Sequence, residues 1–118
     1  MTPLPPPVPY VCGPLTNLSP FEQIYAKRLY SLIGNAVKEA IGHRAFVPHE
    51  HCDPIAFPDF TPEQIDAIER LQVSKNTSCL IVVYIGDSFG GGIEMEIARA
   101  NNVPAILVHP VNQKVSRL

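Results

Sequence analysis

The chain has 118 residues, the size of one ordinary domain, and 46% of them are apolar, which is enough for a core. The net charge is −2 and the nine Lys and Arg residues are scattered, so no basic field is available for a nucleic-acid polymer or an anionic membrane. The longest apolar run, Cys79 to Ile85, is far below the roughly 20 residues of a spanning helix, and the N-terminus lacks the basic start and apolar core of a secretory leader.

Residues 1–9, MTPLPPPVP, hold five prolines and are expected to be an extended arm outside the core. Residues 10–118 are expected to form a single domain. The arm leads into a short first strand over Val8 to Cys12, with Pro9 tolerable only near its start. Gly13-Pro14 stops that strand. Ser19 then offers an N-cap, Pro20 a first helical residue and Glu22 the far side of a capping box. Leu29, Leu32, Ile33, Val37, Ala40 and Ile41 recur at three- and four-residue spacing and predict the buried face of this first helix. Gly42 supplies its left-handed stop.

Arg44 to Val47 reads as a second strand, and the following PHEHCDPIAFPDF as a loop. Thr61-Pro62-Glu63-Gln64 repeats the cap, proline and capping-box arrangement and opens a helix carrying Ile65, Ile68 and Leu71. Cys79 to Ile85 is continuous and rich in β-branched residues, as expected of a central parallel strand covered on both faces. A glycine-rich turn, Gly86 to Gly92, enters a third helix over Ile93 to Asn101, and residues 104–108 make a fourth strand. Strand and helix alternate throughout. The expected fold is therefore α/β, a three-layer sandwich whose four parallel strands lie in the order 2-1-3-4.

Three cysteines, Cys12, Cys52 and Cys79, show no repeated spacing, and their odd count argues against a disulfide framework. A reducing, cytoplasmic compartment is expected. His49 and His51 would point to one side of an extended segment, with Cys52 or Asp53 beside them as a zinc candidate. Ligands crowded into five residues would strain a tetrahedral site, and His43 and His109 are isolated. No metal is assigned.

Asp87 to Glu94 lies between a buried strand and a helix start, where open parallel sheets bind their ligands. Its three consecutive glycines let backbone approach a ligand, and the free N–H groups of the first helical turn suit a phosphate, to which Ser88 adds a hydroxyl. A dinucleotide fingerprint fails, because Met95 stands where its third glycine belongs, and a P-loop fails for want of Gly-Lys-Ser/Thr. No cofactor is assigned. Glu94 sits in the first turn, where the helix dipole favours an ionised acid. That state serves either simple helix stabilisation or a nucleophilic carboxylate.

Tyr10-Val-Cys-Gly-Pro-Leu-Thr-Asn17, Ser88-x-Gly-x-Gly-Ile-Glu94-x-x-x-Ala98 and Val103-Pro104 together resemble the nucleoside 2-deoxyribosyltransferase superfamily, which includes the deoxynucleoside 5′-monophosphate and CMP N-glycosidases. The resemblance implies a flavodoxin-like or Rossmann-like sheet and no cofactor. It implies Glu94 as the nucleophile, Tyr10 as its assistant, and Ser88 as a contact to a 5′-phosphate. A family aspartate that contacts sugar and nucleophile falls on Glu69 with a one-residue insertion and on Arg70 without it, with Asp66 one turn away. Gly13, Thr16, Asn17, His49, Gly90 and Gly92 fall around the same pocket, His49 through a family-like P-H-x-x-x-x-P stretch. Pro14 and Thr16 replace a serine and an arginine that bind phosphate in some members, and Ser78 replaces an aspartate before the central strand. The chain ends soon after the fourth strand, where members usually add a fifth, which implies a shortened fold or a fragment.

The implied activity is cleavage or exchange of the N-glycosidic bond of a nucleoside or nucleoside 5′-monophosphate through a glycosyl ester on Glu94. The departing base needs a proton, from Tyr10 or from an acid near Glu69. The alternative is a non-catalytic nucleotide-sensing module of the same fold. Family active sites are often completed by a neighbouring subunit, so a homodimer is expected.

Overall fold

Three parallel strands, Val8–Cys12, Thr77–Val83 and Ala105–Val108 in that spatial order, form an open sheet with helices on both faces. The structure, a computed structural model, describes residues 6–15, 18–52, 59–85 and 92–109. The elements run β1 (Val8–Cys12), α1 (Pro20–Ile41), α2 (Pro48–Cys52), α3 (Pro62–Lys75), β2 (Thr77–Val83), α4 (Gly92–Ala100) and β3 (Ala105–Val108). Thr16, Asn17, Ser88 and Gly90 lie outside the described residues.

Side chains alternate across the sheet and sort the core into two layers. Val11, Ile81 and Val83 pack with Ala26 and Tyr30 of α1 on one face. Tyr10, Cys12, Leu80 and Val82 pack with Val73 of α3 and Ala98 of α4 on the other. Tyr10 and Leu80 are wholly buried, and each such side chain contributes about 1.5–3 kcal/mol. Pro9 leaves its mark on the pairing: Val8 stands opposite Thr77 but Tyr10 opposite Leu80, so β2 carries one extra residue where proline cannot donate.

Both expected capping boxes are present. Ser19 accepts from the Glu22 amide and Thr61 from the Gln64 amide, with the glutamate and glutamine side chains returning to the cap amides. Gly42 ends α1 at φ 83°, a conformation that costs other residues the clash of a Cβ.

Two features differ from the sequence expectations. Residues 44–47 make a single parallel bridge, Phe46 with Tyr10, rather than a continuous strand. The Val11 amide donates to Phe46 O at 2.9 Å and the Phe46 amide to Pro9 O at 2.8 Å. Pro48, which has no N–H, follows at once and opens α2 where a loop was expected; the Glu50 amide donates to Val47 O at 3.0 Å. The expected buried face of α1 holds in part: Leu29, Ile33 and Val37 pack against the core. Ala26, Tyr30 and Gly34 are its buried residues, whereas Leu32, Ala40 and Ile41 are exposed. The helix approaches through a small residue: a Cβ at Gly34 would stand 3.0 Å from both Arg44 and Val47. Among the described residues no helix is long and apolar enough to cross a membrane.

Candidate active site

Parallel strands bring their carboxyl ends to one edge, where Gly13 follows β1, α2 follows the Phe46 bridge and α4 begins. Below that edge, between α3 and α4, lies a cleft of about 120 Å³ lined by Asp66, Glu69, Arg70, Ile93, Glu94 and Ile97. Whole-ligand pockets are typically 300–1,000 Å³, and this cleft is smaller than that.

Two of the three expected catalytic residues meet there. Glu94 stands in the first turn of α4 and Glu69 in the second half of α3. Burial pushes the Glu69 carboxyl up to about 7, and the charges of Glu94 and then Asp66 add to the effect. The Cys12 thiol, at the end of β1, is raised first by burial and then by Glu94. The charge of Glu94 therefore acts on both α3 and the tip of β1. Arg70 is turned to Asp66, its Nε donating to Oδ2 at 2.7 Å across an ion pair about half open to water. Glu96 takes no part in the cleft. It is exposed and meets Arg99 at 3.4 Å.

Tyr10, the third expected catalytic residue, is not among the residues lining the cleft. It lies fully buried on the face of β1 shared with Cys12, and its ring stacks on Phe46 at 5.3 Å between centroids. Gly13 sits half-buried against Tyr30, a residue that pattern reasoning passed over. A Cβ at Gly13 would collide with the Tyr30 hydroxyl and stand 2.8 Å from its Cζ. That hydroxyl donates to Pro14 O at 2.5 Å and so closes the loop after β1 onto α1. Burial, and then the nearby Cys12, raise the Tyr30 phenol. The sequence signal was present in Ala26, Tyr30 and Gly34, spaced four apart.

His49 and His51 diverge because α2 is helical, and two residues along a helix turn by about 200°. His49 faces α1, with Nε2 3.4 Å from Ser31 Oγ and its ring tilted against Tyr30. His51 stacks on Phe46 at 4.7 Å. Between them Glu50 ties α2 down. Arg44 Nη2 reaches its Oε2 at 2.5 Å and Arg44 Nε its Oε1 at 3.2 Å, while Ser31 Oγ donates to Oε2 at 2.9 Å. Burial pushes the Glu50 carboxyl up, but the hydrogen bonds from Arg44 and Ser31, with the charges of Arg44 and His49, outweigh it and hold the carboxyl below its ordinary range. Gly92, the first residue of α4, is exposed, with open space where a Cβ would stand. Among the described residues no three His, Cys, Asp or Glu side chains are grouped to hold a metal.

No protein-family model, curated protein or solved structure matches the chain. The site is accordingly defined by its own geometry: two carboxyl groups, one of them in a helix's first turn, facing a common cleft between α3 and α4 on one face of the sheet.

Proposed function

We propose that this chain cleaves or exchanges the N-glycosidic bond of a nucleoside or nucleoside 5′-monophosphate. The observation that carries the reading is the pairing of Glu94 with a Glu69 carboxyl held protonated to about pH 7 in one cleft. Glycosidic chemistry needs that division, one carboxylate to attack and one acid to protonate the leaving group. Glu94 forms the bond to the anomeric carbon as the carbon–nitrogen bond breaks, and the departing base takes the proton of Glu69. Glu69, now ionised, accepts a proton from water as that water opens the ester, or from an acceptor base in an exchange. As the family resemblance implies, Tyr10 assists Glu94, and Gly13, Thr16, Asn17, His49, Ser88, Gly90 and Gly92 surround the ligand. The Phe46 bridge supports the finer fold of that family, four strands in the order 2-1-3-4. The buried Cys12 thiol suits a cytoplasmic protein.

Release of free base from a panel of nucleosides and their 5′-monophosphates, followed by chromatography, tests the activity. Glu94→Gln should lower turnover by about 1,000-fold or more, because a carboxamide cannot attack, whereas exposed Glu96→Gln should stay within a few fold. Undiminished turnover in Glu94→Gln ends the mechanism, and no base released from any member ends the activity and leaves the non-catalytic sensing module.

A further inference from the structure

The cleft between α3 and α4 sets one guanidinium among three carboxyl groups. Asp66, Glu69 and Arg70 line it from α3 and Glu94 from α4. Arg70 pairs with Asp66, one turn back on its own helix, through a hydrogen bond from Nε to Oδ2 at 2.7 Å. Among the described residues no contact joins it to Glu69 or Glu94. An acid four residues before a base is the favoured order on a helix, whereas adjacent residues such as Glu69 and Arg70 do not face each other. The pair is about half open to water, and such a pair adds little to stability. Its consequence lies in where it puts a charge.

Few charges bear on Glu69. α3 brings Asp66 and Arg70, α4 brings Glu94, and the end of β1 brings the Cys12 thiol, itself raised by burial and then by Glu94. β2, Thr77–Val83, carries no charged side chain. The charges that raise Glu69 are those of Glu94 and then Asp66. A cation within about 4–6 Å would act against them, since it favours the ionised form of a carboxyl by about 1–3 pH units. Arg70 lines the same cleft of about 120 Å³ as both glutamates. Freed from Asp66, its guanidinium would find Glu94 across the cleft, an acid with no cation partner among the described residues. It would then fill the space beside Glu94 and bring a positive charge to Glu69.

We propose that Asp66 is a positioning residue of this site: it holds the cleft's cation back on α3, which keeps Glu69 free of a salt bridge and leaves the space beside Glu94 open to a ligand. Asp66 acts through Glu69 and Glu94, and so rests on the roles proposed for them, but the arrangement can be read without turnover.

Carbon-13 NMR titration of the Glu69 carboxyl in the full chain is the test. Asp66→Asn removes an anion and releases the cation, and both changes act in one direction. Glu69 should then titrate lower than in the parent by at least about 1 pH unit. Asp66→Asn with Arg70→Met leaves no cation to release, so at least half of that fall should be recovered. Asp66→Glu keeps an acid four residues before Arg70 and should titrate as the parent does. Asp66 and Arg70 are half exposed, so circular dichroism should be unchanged; if Asp66→Asn loses it, Asp66→Ser is read instead. A merely structural Asp66 would leave the titration of Glu69 in place in every variant, which overturns the proposal. So does a double variant that titrates with Asp66→Asn, since Asp66 would then act by its own charge and Arg70 would stay where it is. In turnover, the pH above which kcat falls should move down with Glu69 in Asp66→Asn. The expected titrations with no base released from any substrate would uphold the placement of Arg70 and end the glycosidic activity.

Discussion

Glu69→Gln gives the most direct reading of the cleft, because its effect on stability must change with pH in a known direction. Glu69 titrates near its ordinary 4.5 in the unfolded chain and at about 7 in the folded one. Between those values the native state holds a proton that the unfolded state has released. The stabilisation is thus complete below pH 4.5 and lost as pH rises through about 7. At roughly 1.4 kcal/mol per pH unit the displacement amounts to about 3 kcal/mol, and solvent screening of a carboxyl still partly open to water reduces it to roughly 1–2 kcal/mol. For a chain of this length that is a difference of about 4–8 °C in Tm. Glutamine cannot ionise, so the gap in Tm between Glu69→Gln and the parent should shift in favour of the variant by that amount from pH 4.5 to pH 8. Other titrating groups cancel in this double difference. Glu94→Gln should move the window down without abolishing it, since burial is the larger cause and the Glu94 charge the second. Calorimetry at the two pH values decides. An equal gap at both means that the cleft does not hold Glu69 protonated, and the acid role falls with it.

Two further substitutions test how the carboxyl edge of the sheet is held. Gly13→Ala should cost about 1–3 kcal/mol by overpacking against Tyr30, and adding Tyr30→Phe should cost less than the two single losses combined; strict additivity in chemical denaturation would refute the contact. Arg44→Met should cost roughly 1–2 kcal/mol near neutral pH by leaving Glu50 without its cation. Because the Glu50 carboxyl is held low, that loss should shrink as pH falls below about 4.5, and a loss unchanged with pH would count against the pair.

Local rules carried the sequence reading furthest. Capping boxes, the Gly42 stop and the β-branched run of Cys79 to Ile85 depend on residues within a few positions of one another; the caps stand where those signals put them, and the strand runs two residues earlier, over Thr77–Val83. Long-range packing was less legible. Spacing of large apolar residues on α1 picks out Leu29, Ile33 and Val37, which do pack on the core, but the helix also docks through Ala26 and Gly34, whose lack of bulk allows close approach. Leu32 and Ile41 fit the same periodicity and are exposed. Apolar spacing reports that a helix has a sticky side. It cannot say which of two sticky sides meets its own sheet, and α1 has two. The 44–47 segment shows a related limit, since one bridge to Tyr10 and an immediate proline at position 48 satisfy the backbone without a continuous strand.

The cleft divides in the same way between local and distant causes. Glu94 and Glu96, two positions apart on one helix, had to face different ways, so geometry alone limited the cleft to one of them. Glu96 meets solvent and Arg99, and Glu94 meets the cleft. Glu69 had no comparable local signal. It sits on a polar-looking helix between Ile68 and Arg70, and only the packing of α3 beside α4 buries it near a second carboxylate. Alone on an exposed helix, each glutamate would be an ordinary surface acid. Glu69 keeps its proton to higher pH because its carboxyl is partly withdrawn from water, with the charges of Glu94 and Asp66 adding to the effect.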